Sequence, residues 1–253
     1  MKYRFAQLTI LFSFLLLTSP TSSAEVTVYT EDYPPYNYVG DDGTIEGIAT
    51  AKVRQVLDAA GLDYEIRMVP WSRAVLYAGR QDNALIYTIT RTPLREEQYD
   101  WLVPVATSNF YLYARADDPR PVTPDALRSG MFSAACVTGD LTCDLLATTG
   151  IPEERIVYIS DSNTGDFRLV VAGRADLYIS ELAANSRLRH AGGFDLDVTK
   201  PTLRLGGKTG FYLASGKHVS PELRSRIRRS YNRLQAQGRY HLAAPLQTDE
   251  LGQ

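Results

Sequence analysis

Pro93 is the residue that most restricts how this chain can fold. It follows an apolar run, Ala84-Leu85-Ile86, that continues through Tyr87-Thr-Ile-Thr-Arg-Thr92. Proline has no amide to donate, so a buried strand entering at Ala84 must finish near Thr92. Thr88, Thr90, Thr92 and Arg95 are thereby gathered at the carboxyl end of that strand, which is where open α/β sheets bind ligands. An arginine there presents a planar fork of donors suited to a carboxylate, and threonine hydroxyls complete the cradle. Two readings are open: Arg95 holds an acidic group of a small molecule, or it pairs with Glu96 or Asp100 on the surface.

The chain leading to this point alternates regularly. Val26 to Tyr29 reads as a strand, ended by the turn at Pro34-Pro35. Tyr33, Tyr36 and Tyr38 follow it in a cluster; Tyr33 is assigned to a pocket wall and the other two to packing. Ile45 to Ala60 carries Ile48, Val53, Val56 and Leu57 at helical spacing and closes at Gly61. Tyr64 to Val69 is a second strand, with Ser72 as the expected cap of a helix from Arg73 to Ala78. With the strand from Asn83 to Thr90 this makes β-α-β-α-β, an α/β fold with parallel strands. Trp71 and Arg73 fall on the same sheet edge as Arg95. Trp71 stacks on a ligand or packs under a helix; Arg73 pairs with ligand charge or is solvated.

A second α/β unit follows the connector from Asp117 to Pro124. Phe132 to Val137 is its first strand, and Thr138-Gly139-Asp140 turns into a helix ended by Gly150. Amides at such a turn attract anions, which makes Thr138 and Gly139 ligand candidates. Arg155 to Ile159 and Asp176 to Ser180 are further strands, with a helix from Asp166 to Ala172 between them. Glu181 ends the last strand and mirrors Arg95 with opposite sign. It meets a ligand cation or complements the dipole of the following helix. After the stretch Trp101 to Pro104, Ser108 to Ala114 and Gly210 to Ser215 are additional strands. A final helix opens at Pro221, and its run from Arg224 to Arg229 reads as a solvated face.

Lys2 and Arg4, the apolar stretch from Leu8 to Leu17 and Ser22-Ser-Ala24 have the layout of a secretory signal peptide, residues 1–24. Cleavage near Ala24 leaves about 229 residues. Of 27 basic side chains, removal of Lys2 and Arg4 leaves 25 against 29 acids, a formal charge of −4. That mild acidity argues against a nucleic-acid surface. Cys136 and Cys143 are the only cysteines, and in an exported chain an even pair reads first as a disulfide. Two cysteines and the scattered His190, His218 and His241, read as surface residues, make neither a metal site nor a catalytic triad. Gly206-Gly-Lys-Thr209 lacks the earlier glycine of a phosphate loop and has a strand after it, so no cofactor is expected.

Taken together, several motifs in order resemble the extracellular solute-binding proteins of family 3. They are Tyr33-Pro-Pro-Tyr36, Gly43-Thr-Ile-Glu-Gly47, Pro70-Trp71, Thr90-x-Thr92-Pro93-x-Arg95, Gly173-Arg-Ala-Asp176 with Glu181 beyond it, and Leu234-x-x-x-Gly238. The resemblance implies a two-lobed periplasmic-binding-protein type II fold, each lobe a mostly parallel sheet flanked by helices, joined by two crossing strands. Residues 25–113 and 203–253 form one lobe on this reading, and 114–202 the other. It further implies that Arg95 takes a ligand α-carboxylate with help from Thr90 and Thr88, and that Tyr33 stacks on the ligand. Thr138 and Gly139 supply amides, and Glu181 takes the α-amino group. The family usually has Asp at Glu181 and Gly at Thr88. The implied function is a monomeric periplasmic binding protein, not an enzyme, that delivers a small polar, zwitterionic or carboxylate ligand to the membrane permease of an ABC importer. Two other functions fit the same fold: a cyclohexadienyl dehydratase-like lyase, for which Glu31, Asp32 and Glu181 are candidate acids or bases, and a ligand-presenting sensor.

Overall fold

The computed structural model describes residues 26–160, 164–191, 193–195 and 197–242. The segment 1–24, expected to be a signal peptide, and the side chain of His190 lie outside the described residues. Ten strands and seven helices are described: β1 (Val26–Thr30), β2 (Tyr38–Val39), β3 (Ile45–Glu46), α1 (Ile48–Ala59), β4 (Tyr64–Met68), α2 (Trp71–Ala78), β5 (Ala84–Thr90), β6 (Tyr99–Arg115), α3 (Pro124–Arg128), β7 (Ala134–Val137), α4 (Leu141–Thr149), β8 (Ile156–Ile159), α5 (Gly165–Val171), β9 (Leu177–Glu181), α6 (Leu182–Ala191), β10 (Thr199–Gly216) and α7 (Pro221–Ala236).

Among the described residues the main sheet has the order β4-β1-β5-β10-β6-β9-β7-β8. At one end β1 is parallel to β4 and β5; at the other β7 is parallel to β8 and β9. Between them the long strands β6 and β10 pair antiparallel, with Thr199 opposite Arg115 and Gly216 opposite Tyr99. The stretch Phe211 to Ser215 of β10 joins β5, and Phe110 to Ala114 of β6 joins β9. The two strands therefore cross from one parallel half to the other. At the crossing, three residues of β10 (206–208) oppose the single Asn109 of β6, between the pairs Leu205–Phe110 and Thr209–Ser108.

Helices cover both faces. On one, Val53, Val56 and Leu57 of α1 and Ile227 and Leu234 of α7 are buried with Val103 and Val105 of β6. On the other, Ala74 and Ala78 of α2 pack against Tyr29, Ile86 and Ile89. Phe167 and Val170 of α5 do the same over Tyr113, Ala135 and Tyr178.

Several local expectations are corrected. The helix expected from Ile45 starts at Ile48, because Gly47 holds φ 127° and Ile45–Glu46 pairs instead with Tyr38–Val39. A Cβ at Gly47 would run into the Tyr36 carbonyl, so glycine is required there. Helix α2 starts at Trp71 with Pro70 at its N-cap position, not at Ser72. The strand expected from Ser108 begins at Tyr99 and runs through Pro104, which sits beside a bulge where β6 pairs with β10. Arg226, Arg228 and Arg229 of α7 are exposed, as expected of a solvated face, but arginines of this helix also make specific contacts. Arg226 donates to the Ala60 and Gly61 carbonyls, Arg233 donates to the Ala59 carbonyl at 2.6 Å, and Arg224 pairs with Asp100. Arg226 and Arg233 thereby satisfy orphan carbonyls at the end of α1. His218 and His241 are exposed.

Candidate functional site

Parallel strands aim their carboxyl ends the same way, and here both halves aim them at one cavity of 550 Å³. That is within the usual range for small-molecule sites, ~300–1,000 Å³. β1 runs into Glu31, Asp32 and Tyr33; β4 into Pro70 and Trp71; β5 ends in Thr88 and Thr90. Opposite them, β7 runs into Thr138 and Asp140, β8 into Ser160, and β9 ends with Ile179 and Ser180. Tyr33, Trp71, Thr88, Thr90, Arg95 and Thr138 all line this cavity, as does Tyr38, which was assigned to packing. Tyr36 is buried, with its ring stacked on Tyr33 at 5.4 Å. Arg73 is exposed and outside the lining.

Arg95 is 9% exposed, and the two acids offered as its surface partners are otherwise engaged. Glu96 binds Arg91; Asp100 binds Arg224, with Lys217 and Arg228 each at 3.7 Å. The Arg95 guanidinium instead points across the cavity. Its Nη2 donates to the Gly139 carbonyl at 3.0 Å and lies 4.0 Å from the Asp144 carboxylate, with the guanidinium 5.8 Å from the Trp71 ring centre. Trp71 Nε1 donates to the same carbonyl at 3.3 Å.

Thr88 is the one non-glycine residue with positive φ, 59°, among the described residues. A β-branched side chain seldom adopts that conformation. The register explains it: Tyr87 pairs with Leu213 and Ile89 with Tyr212, so Thr88 is the extra residue of a bulge. Its hydroxyl donates to Asn37 Oδ1, and Asn37 Nδ2 donates to the Glu31 carbonyl. The strained residue thus ties the end of β5 to the loop after β1. Thr90 is 4% exposed and lines the cavity, and among the described residues its hydroxyl has no hydrogen-bond partner.

On the opposite wall the roles differ from those expected. The Thr138 amide is used by the Ile159 carbonyl at 2.8 Å, and Gly139 turns a carbonyl toward Trp71 and Arg95. The turn therefore offers an acceptor where donors were expected. Glu181 is 2% exposed and outside the cavity lining. Its carboxylate accepts from the Ala183 amide at 3.1 Å, the Ala184 amide, the Ser108 hydroxyl at 3.1 Å and the Tyr36 hydroxyl at 3.4 Å. This is the helix-start role: the acid satisfies free amides of α6.

The acids that do line the cavity are Glu31, Asp32, Asp140 and Asp166. Burial, then the charges of Asp140 and Asp32, holds the Glu31 carboxyl well above the usual carboxylate range, with Arg95 pulling it back. Burial also raises Asp140, against the lowering effect of the Leu141 amide it caps and of Arg95. Asp166 is pushed up to about 7, first by burial and then by Asp140, against the Phe167 amide. Asp140 and Asp166 were not singled out from sequence, because an acid at a helix start reads as a cap.

The loop from Val137 to Thr142 is closed at its base by the Cys136–Cys143 disulfide, with Cα atoms 5.2 Å apart. Among the described residues no group of three His, Cys, Asp or Glu side chains is placed to hold a metal ion, and no helix is long and apolar enough to cross a membrane.

Solved structures similar to this one share its fold at low identity. A histidine kinase sensor domain with similarity to periplasmic binding proteins is 21% identical, covering 86% of this chain and 92% of that one, with a TM-score of 0.73. The arginine-, lysine-, histidine-binding protein ArtJ from Geobacillus stearothermophilus is 16% identical, covering 85% and 91%, with a TM-score of 0.69. A structure titled for glutathione import via GshT and the cystine ABC importer TcyBC of Streptococcus mutans is 18% identical, covering 85% and 90%, with a TM-score of 0.67. None of the curated protein sequences compared with the chain matches it. The profile of the bacterial extracellular solute-binding proteins, family 3, matches residues 26–244, and the chain belongs to that family.

Proposed function

We propose that the protein captures a small amino-acid-like solute, bearing a carboxylate and an amine, in the cavity between its two parallel halves. It then delivers the solute to the permease of an ABC importer. The observation that carries this reading is Arg95: a buried guanidinium in the wall of the cavity that Thr90 also lines. Family membership and the printed names of ArtJ and of the GshT structure support an amino-acid-like ligand and a transporter partner. With Glu181 turned to α6, the amine falls to Glu31 and Asp140, the acids on which the Arg95 charge acts. On this reading residues 25–113 and 203–253 form one lobe and 114–202 the other, hinged where β6 and β10 cross, and residues 1–24 export the chain to the periplasm.

A thermal-shift screen over amino acids, small carboxylates and amines tests the proposal. A stabilising hit recovered unchanged after incubation supports capture. Stabilisation by none of them contradicts it. Glu31 motivates the second reading, a lyase on the same fold, since a cavity carboxyl raised above the usual carboxylate range is suited to proton transfer. Consumption of the hit would favour that reading.

A further inference from the structure

We infer that the protein has a second ligand site, where β6 and β10 cross, and that it takes a small organic anion with an apolar body. A cavity of 500 Å³ lies there between α3, the later half of α4 and β10. It shares no lining residue with the first cavity. Its volume is within the ~300–1,000 Å³ usual for small-molecule sites. The inference goes beyond the proposed capture and does not depend on it.

The walls of this cavity are of two kinds. Leu127, Leu145, Leu203 and Leu205 are apolar, and Leu145 and Leu203 are only partly buried. Arg128 and Arg204 line the same cavity, and among the described residues no acid does. Neither guanidinium is spent in a buried ion pair. Arg128 pairs with Asp125, whose side chain is 92% exposed, and such a surface pair contributes little. Arg204 Nη2 donates at 2.8 Å to Asn109 Oδ1, a neutral amide. The Thr148 and Thr149 hydroxyls donate at 2.7 Å to the Leu145 and Leu146 carbonyls of their own helix, so an anion is left to the arginines. A carboxylate meeting Arg204 gains a charge-assisted hydrogen bond, and an alkyl or aryl body covers the leucines.

The backbone leaves room for such a ligand. Gly206 and Gly207 border the cavity, and nothing lies within 4 Å of where a Cβ would stand on either. They belong to the bulge at residues 206–208, opposite Asn109, the residue that Arg204 holds. The stretch Gly206-Gly-Lys-Thr209, which fails as a phosphate loop, thus forms one edge of an arginine-lined cavity. Helix α4 touches both sites: Leu141 and Thr142 line the first cavity, and Leu145, Thr148 and Thr149 line the second.

Amide chemical shifts of the full mature protein, titrated with octanoate, octanamide and acetate, test this. Octanoate is expected to shift the amides of Leu203 to Thr209 and of Leu145 to Thr149. Octanamide keeps the chain without the charge and should bind about 10-fold more weakly, the lower end for a charge-assisted hydrogen bond because Arg204 is exposed. Acetate keeps the charge without the chain and should bind at least about 10-fold more weakly. In Arg204→Gln the preference for octanoate over octanamide falls to within about threefold. Octanoate shifts absent from both stretches, or confined to the first cavity around Thr90 and Arg95, overturn the inference and leave the capture reading standing. Octanamide or acetate binding as tightly as octanoate overturns the ligand class. These arms need no variant to fold. A preference that survives in Arg204→Gln overturns the assignment to Arg204.

Discussion

Arg95 donates to the Gly139 carbonyl across the cavity at 3.0 Å, joining a residue that follows β5 to one that follows β7. Trp71 Nε1 reaches the same carbonyl at 3.3 Å. Two donors from one half therefore meet one acceptor from the other. Trp71→Phe removes the indole donor and leaves a smaller aromatic ring in its place; the lost hydrogen bond corresponds to about 0.5–1.5 kcal/mol of closed-state stabilisation. Small-angle scattering of the ligand-free variant should show a larger radius of gyration than the unmodified protein. An unchanged radius would mean that this bond does not bias closure.

Asn37 is fully buried and holds both the Thr88 hydroxyl and the Glu31 carbonyl. Asn37→Ala strands two buried polar groups and destabilises the fold by about 2–4 kcal/mol. It also frees the loop carrying Glu31 and Tyr33, so ligand affinity falls along with the unfolding midpoint. A denaturant titration and a binding isotherm on the same variant check both.

The Cys136–Cys143 bridge closes a short loop whose residues Val137, Thr138, Asp140, Leu141 and Thr142 line the cavity. Loop-closure entropy for a span of this size corresponds to about 2–3 kcal/mol. Replacing both cysteines by serine lowers the melting temperature and weakens ligand binding, because Gly139 and Asp140 lose their brace. Two free thiols titrating in the unfolded, unreduced protein would refute the bridge.

Asp166 makes stability depend on pH in a stated direction. Its carboxyl sits at about 7 in the folded protein against an ordinary 3.8. The folded state therefore binds the proton more tightly than the unfolded chain. The associated stability is fully present below 3.8, declines through the window up to about 7, and is absent above it. Glu31 and Asp140, also raised by burial, act in the same sense. Asp166→Asn removes a penalty of at most about 4 kcal/mol. Without ligand, the variant should melt higher than the unmodified protein at pH 8 and alongside it at pH 3.5. Coincident melting at both pH values would contradict the burial of this carboxyl.

The sheet edge that carries the cavity was legible from Pro93 alone, because a missing amide has one consequence wherever the strand lies. The family was legible from the order of short motifs between Tyr33 and Gly238. What the sequence did not disclose depends on which way a group turns. Glu181 follows a buried strand in either of its two roles, and only the start of α6 decides that its carboxylate meets the Ala183 and Ala184 amides. Thr138 and Gly139 were expected to present amides, but continuation of the β7–β8 ladder consumes one and the turn exposes a carbonyl. Thr88 reads as an ordinary strand threonine, and its positive φ arises from a bulge set by β10, more than a hundred residues away in sequence. That Arg226 and Arg233 also cap α1 was not legible, because the carbonyls they satisfy lie more than 150 residues earlier in the chain.

The most direct test of the account is calorimetric titration of the best-stabilising amino acid into the unmodified protein and into Arg95→Ala. Removing the guanidinium while leaving the ligand carboxylate buried should weaken binding by about 2–5 kcal/mol, roughly 30- to several-thousand-fold, with the circular dichroism spectrum unchanged. Full affinity in Arg95→Ala would contradict the claim that this guanidinium holds the ligand.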